Sequence, residues 1–147
     1  MSIDGMYQEV ILDHHKHPVG KGLREPFSAQ THHINTSCGD ELTVRVLVND
    51  STGELTDVSW DGQGCAISIA SMSILAESVT GNSVTVARDL HEKFLTLMHG
   101  RGEASPHPDL GEAVAFAGVA QFPARVKCAL LGWMAVSDAL DQARHSV

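Results

Sequence analysis

The chain has 147 residues, 43% of them apolar and 19% charged, with 18 acidic against 10 basic side chains, a net charge of −8 and three cysteines. Near ~150 residues a chain can withdraw about 68–70% of its surface from water, so residues 1–147 are expected to form one domain with its own core. The acidic balance excludes a protein whose work is to neutralise nucleic-acid phosphates. No apolar run approaches the ~18 residues of a membrane span. Asp4, Glu9 and Asp13 do not read as a signal peptide, so the expected location is cytoplasmic, with neither nucleic acid nor membrane as partner.

Tyr7, Val10, Ile11 and His14 share the spacing of one helix face, which predicts a short helix over 5–15 with Asp4 as its cap. Pro18, Gly20 and Gly22 follow, and the aperiodic stretch 16–30 reads as a loop or mobile arm. Leu42, Val44, Val46 and Val48 alternate with Thr43, Arg45 and Leu47, as in a half-buried strand. A turn-rich 49–53 and a second strand over 55–61 make a hairpin of 41–61, with 32–37 as a third strand on its edge. The run 61–64 breaks the sheet, and the apolar 66–79 predicts a buried helix in which Ala70 and Ser71 allow close packing. Gly81 closes it, Asn82 or Ser83 caps the next, and Val86, Leu90, Phe94, Leu97 and Met98 form the apolar stripe of a helix over 83–99. A loop at 100–110, a short helix at 111–117 and a long helix over 123–144 complete the chain. In the last of these Val126, Leu130, Trp133, Met134, Ser137 and Leu140 are expected to face inward, and His14, His15 and His17 read as mostly solvated. Strands followed by helices only give the segregated α+β class: a small three-stranded antiparallel sheet with helices packed on one face.

Three thiols cannot close a disulfide framework, and a reducing compartment leaves them for metal or nucleophilic chemistry. Cys38 falls in a turn beside Gly39 and Asp40, Cys65 follows Gly62-Gln63-Gly64 where a helix opens, and Cys128 lies in the first turns of the last helix. Cys38, Cys65 and Cys128 with Asp40 are four ligands, enough for a tetrahedral Zn²⁺ or an iron–sulfur cluster. The separations of 27 and 63 residues match no short zinc motif, so spacing leaves this reading level with three unconnected structural cysteines.

The segments Tyr7-Gln8-Glu9-Val10-Ile11-Leu12-Asp13-His14, Ser37-Cys38-Gly39-Asp40, Gly62 to Ser71 and Arg125-Val126-Lys127-Cys128-Ala129 together resemble the IscU/SufU/NifU-N family of iron–sulfur assembly proteins. Within it the SufU branch is the more similar, because Lys127 stands where the scaffold branch has histidine and the long interval between Cys65 and Cys128 suits that branch's insertion. The resemblance implies that Cys38, Asp40, Cys65 and Cys128 bind zinc, and that Cys38 accepts persulfide sulfur from a SufS-type cysteine desulfurase within a Suf assembly system. It also implies Arg125 and Lys127 as neighbours compensating the charge of a four-anion site. The scaffold alternative implies a transient [2Fe–2S] or [4Fe–4S] cluster on the same residues.

Overall fold

The computed structural model describes residues 2–37 and 39–145, and the side chains of residues 8–37 and 39–144. The alternation in the sequence becomes β2 (Asp40–Val48), which buries Asp40, Leu42, Val44 and Val46 on one face. It lies between β1 (Ala29–Asn35) and β3 (Leu55–Gln63), both antiparallel to it. Asn35 pairs with Asp40, and Glu41 with Gln63, so the β1–β2 turn and the end of β3 meet at one end of the sheet.

The helices are α1 (Ser2–Lys16), α2 (Ala66–Val79), α3 (Val84–His99) and α4 (Pro123–His145), with a 3-10 segment at Pro108–Gln121. α4 lies across β1 and β2, where the Thr31 hydroxyl donates to the Ala135 carbonyl at 2.8 Å. α2 packs on α4: the Ser71 hydroxyl donates to the Ala129 carbonyl at 2.7 Å and accepts from the Trp133 indole N–H at 2.9 Å. α2 is apolar nearly all round, as befits a helix enclosed by others, and α1 covers its remaining side. Phe94 of α3 stacks on Trp133 with centroids 4.1 Å apart and meets Phe116 edge-on. Ser83 caps α3, accepting from the Val86 N–H, and Gly81 follows the last turn of α2 at positive φ. Among the described residues no helix is long and apolar enough to cross a membrane.

The class and strand order agree with expectation, and several local details differ. α1 begins at Ser2, so Asp4 lies within it and does not cap it. β1 starts at Ala29 where 32 was expected, and β3 continues to Gln63, two residues beyond the expected break. The stretch 16–30 is no mobile arm. The Gly22 N–H donates to the Trp60 carbonyl at 2.6 Å, the Trp60 N–H donates to the Gly20 carbonyl at 3.1 Å, and Arg24 pairs with Asp57. This run covers the otherwise open edge of β3 through backbone bonds, which leave no period in the sequence. The predicted helix at 111–117 is part of the 3-10 segment, which starts at Pro108 and kinks at Gly111. Val86 and Met134 are exposed, each one position off the buried stripe of its helix. His14 is buried at 4% exposure, against the expected solvated position; its place on the Val10–Ile11 face points inward.

Candidate metal centre

Asp40 opens β2 at the sheet end and Cys65 follows β3 by two residues, so strand pairing alone brings the carboxylate to the start of α2. Cys65 is the N-cap of α2 and its backbone N–H donates to Asp40 Oδ1 at 3.0 Å. Asp40 therefore sits at the positive end of the helix, although it is only 2% exposed. Its second oxygen, Oδ2, accepts from the Ser68 hydroxyl at 3.0 Å. Ser68 is fully buried and its oxygen lies 3.1 Å from the Cys65 carbonyl and 3.5 Å from Cys65 Sγ. It has one hydroxyl proton, for which the carboxylate is the stronger acceptor.

Gly64 makes this approach possible. A Cβ there would stand 2.5 Å from Ser68 Oγ and 2.9 Å from Asp40 Oδ1, both inside van der Waals contact. Gly39, at φ +73°, supplies the left-handed residue that turns the chain into β2, and its N–H donates to the Asn35 carbonyl at 2.9 Å.

Cys128 reaches the same place from the first turns of α4, the register of α4 on α2 being held by Ser71, Ala129 and Trp133. One ligand atom from each of Asp40, Cys65 and Cys128 lies within 4.8 Å of the others. Cys65 is exposed while Cys128 is buried, so the cluster opens to solvent on the Cys65 side. Cys65 Sγ is 3.6 Å from Asp40 Oδ2. Sulfur at ~2.3 Å and oxygen at ~2.1 Å from a tetrahedral zinc would stand about 3.6 Å apart, so this pair has the spacing of two ligands on one ion. The donor set of two thiols and a carboxylate suits zinc or iron.

Cys38, the fourth expected ligand and the expected nucleophile, lies outside the described residues. Of the two basic residues expected nearby, Arg125 holds its guanidinium 5.5 Å over the Phe122 ring, and Lys127 lines a groove with Asn35, Ser37, His99, Leu130 and Met134. The sequence reading gave Ser68 no role. Its signal is the spacing: a serine three residues after the helix cap is placed to reach back to the groups at the helix start.

Fold and cluster together define a small α+β protein with a mixed thiol–carboxylate centre at one end of its sheet. The chain belongs to the NifU-like N-terminal domain family of iron–sulfur cluster assembly proteins, whose model matches residues 6–129. It is 35% identical over 135 residues to the zinc-dependent sulfurtransferase SufU of Bacillus subtilis (strain 168), covering 92% of this chain and 89% of that one. It is 33% identical over 144 residues to the iron–sulfur cluster assembly scaffold protein IscU of Streptococcus pyogenes serotype M1, covering 98% and 88%. A crystal structure described as a SUF-system iron–sulfur cluster assembly scaffold protein from Fervidobacterium islandicum AW-1 superposes with a TM-score of 0.78 at 32% identity, over 90% of this chain and 94% of that one.

Proposed function

We propose that this chain is a zinc-dependent sulfur acceptor of iron–sulfur cluster biogenesis, working in the cytoplasm beside a SufS-type cysteine desulfurase. The observation that carries the proposal is the convergence of Asp40, Cys65 and Cys128 within 4.8 Å of one another, with Cys65 Sγ and Asp40 Oδ2 at 3.6 Å. The similarity to a relative named as a zinc-dependent sulfurtransferase supports it. Cys38, Asp40, Cys65 and Cys128 would hold the metal, which when bound keeps the thiols deprotonated at neutral pH. Cys38 precedes a glycine in the sequence, whereas Cys65 caps α2 and Cys128 is built into α4, so Cys38 is assigned as the acceptor. Its thiolate attacks the terminal sulfur of the partner's cysteine persulfide. A new S–S bond forms on Cys38 as the partner's S–S bond breaks, and the partner's cysteine departs as thiolate, so no external oxidant or reductant is consumed. Asp40, fixed by the Cys65 N–H and Ser68, orients the site, and Lys127 and Arg125 supply positive charge on the α4 side.

The test is metal and sulfide analysis of protein purified without oxygen, followed by desulfurase turnover. About one zinc per chain, no acid-labile sulfide, and loss of desulfurase stimulation in Cys38→Ala are expected. Full stimulation by Cys38→Ala would remove Cys38 from the role. Iron with labile sulfide would favour the scaffold reading, which the similarity to IscU-named relatives supports.

A further inference from the structure

At the opposite end of α2 from Cys65, three side chains from three elements converge. His14 comes from α1, Glu77 from the last turn of α2, and Glu112 from the 3-10 segment, and a ligand atom of each lies within 4.8 Å of the others. Twelve residues of helix separate Cys65 from Glu77, about 18 Å at 1.5 Å per residue, so this cluster is spatially separate from the cysteine centre.

We propose that His14 Nε2 with the carboxylates of Glu77 and Glu112 forms a second site, for a divalent transition-metal cation of the Mn²⁺ or Fe²⁺ class.

The histidine carries the argument. It is buried, yet its ring is edged into an otherwise acidic cluster with Nε2 3.2 Å from Glu112 Oε1. Its other nitrogen, Nδ1, is 2.7 Å from the hydroxyl of Ser73, itself fully buried and anchored by the Val19 N–H at 2.7 Å. A ring held through one nitrogen by a fixed oxygen, with the other nitrogen turned to an exposed pair of carboxylates, is the usual support of a metal-binding imidazole. As the side chains stand, the Nε2 proton faces the Glu112 carboxylate; a bound cation would take that proton's place, with Nδ1–H then donating to the Ser73 hydroxyl, which can accept as well as donate.

The electrostatics point the same way. The Glu77 and Glu112 carboxylates repel each other, with Asp13 adding to the repulsion and His14 opposing it. Of the groups acting on Glu77, His14 alone can carry positive charge. A cation would offset the repulsion between the two carboxylates. One imidazole and two carboxylates leave positions for water and suit a cation harder than the thiol centre selects. Such an ion would tie α1 to α2 and to the 3-10 segment.

Mn²⁺ is the probe, because it is poorly matched to thiolates. Titration of the full chain by calorimetry and by Mn²⁺ electron paramagnetic resonance should show one bound ion, with affinity reduced at least tenfold in Glu112→Gln and Glu77→Gln. Cys65→Ser should leave Mn²⁺ affinity unchanged, and both Gln variants should keep the wild-type zinc content. His14→Gln alters a buried residue, so the two exposed glutamates are the deciding variants. Wild-type protein that binds Mn²⁺ no more tightly than the Glu77→Gln/Glu112→Gln double variant, or binding that Cys65→Ser abolishes, overturns the assignment.

Discussion

Ser68→Ala is the substitution that most directly tests how the cysteine centre is held. The serine is fully buried and its hydroxyl donates to Asp40 Oδ2, as the Cys65 N–H donates to Oδ1. Deleting it creates almost no cavity, so its effect is confined to the hydrogen bond. A hydrogen bond to a charged acceptor contributes about 1.5–3 kcal/mol. At about 1.4 kcal/mol per factor of ten, that corresponds to a zinc affinity about 10–100-fold weaker, the range in which groups that orient metal ligands usually act. Competition against a chromophoric chelator at fixed pH reads the affinity, and circular dichroism verifies the fold. Ser71→Ala is the control: three residues along the same helix, equally buried, it bonds Ala129 and Trp133. It should lower stability by about 1 kcal/mol while leaving zinc affinity within twofold. A folded Ser68→Ala protein that binds zinc as tightly as wild type, or a Ser71→Ala protein that loses as much, would refute the role given to Ser68.

Gly64→Ala should lower stability by about 1–3 kcal/mol and weaken zinc binding as well, because the new Cβ displaces Ser68 Oγ and Asp40 Oδ1 together; thermal melts with and without added zinc separate the two effects. Chelation should reduce the melting temperature, by an amount that grows with the zinc concentration it reverses; at a thousandfold excess over Kd the difference is about 4 kcal/mol, and identical melts with and without metal would argue against a folded-state site. Burial pushes the His91 imidazole below its ordinary value, so the unfolded chain takes up a proton that the folded chain resists. His91 therefore contributes stability above about pH 6.5 that is lost as pH falls toward its folded pKa, and His91→Gln should flatten that part of a urea-denaturation pH profile. Phe94→Ala, which removes the ring stacked on Trp133, should cost about 3–5 kcal/mol without altering metal stoichiometry.

The sheet and the helices were legible because each carries a period. Leu42, Val44 and Val46 alternate, and Leu90, Phe94 and Leu97 recur at helical spacing, so the pattern and the burial follow one another. What stayed hidden depends on partners far away in sequence. The run 19–24 is bonded through its backbone to the edge of β3, and backbone bonds make no demand on residue type that a reader of side chains could notice. The centre was legible only in part for a related reason. Glycine turns marked Cys65 and Asp40, but nothing local says that residues 40, 65 and 128 meet. The pairing of Glu41 with Gln63 joins the first two, and the bond from Ser71 to Ala129 brings in the third.

One local signal would have revealed more of these long-range contacts. α2 is an apolar helix interrupted by Ser68, Ser71 and Ser73, all buried. A buried hydroxyl needs a partner, and a helix of alanine, isoleucine, methionine and leucine offers none beyond its own carbonyls. Each of these serines finds its partner in a different element: Ser68 on Asp40 of β2, Ser71 on Ala129 and Trp133 of α4, and Ser73 on His14 of α1 and the Val19 N–H. The three hydroxyls mark where the sheet, the last helix and the first helix dock on the central one. Two of them also steady residues of the candidate metal clusters at its two ends, so the polar interruptions of the most apolar helix coincide with the groups on which both metal proposals rest.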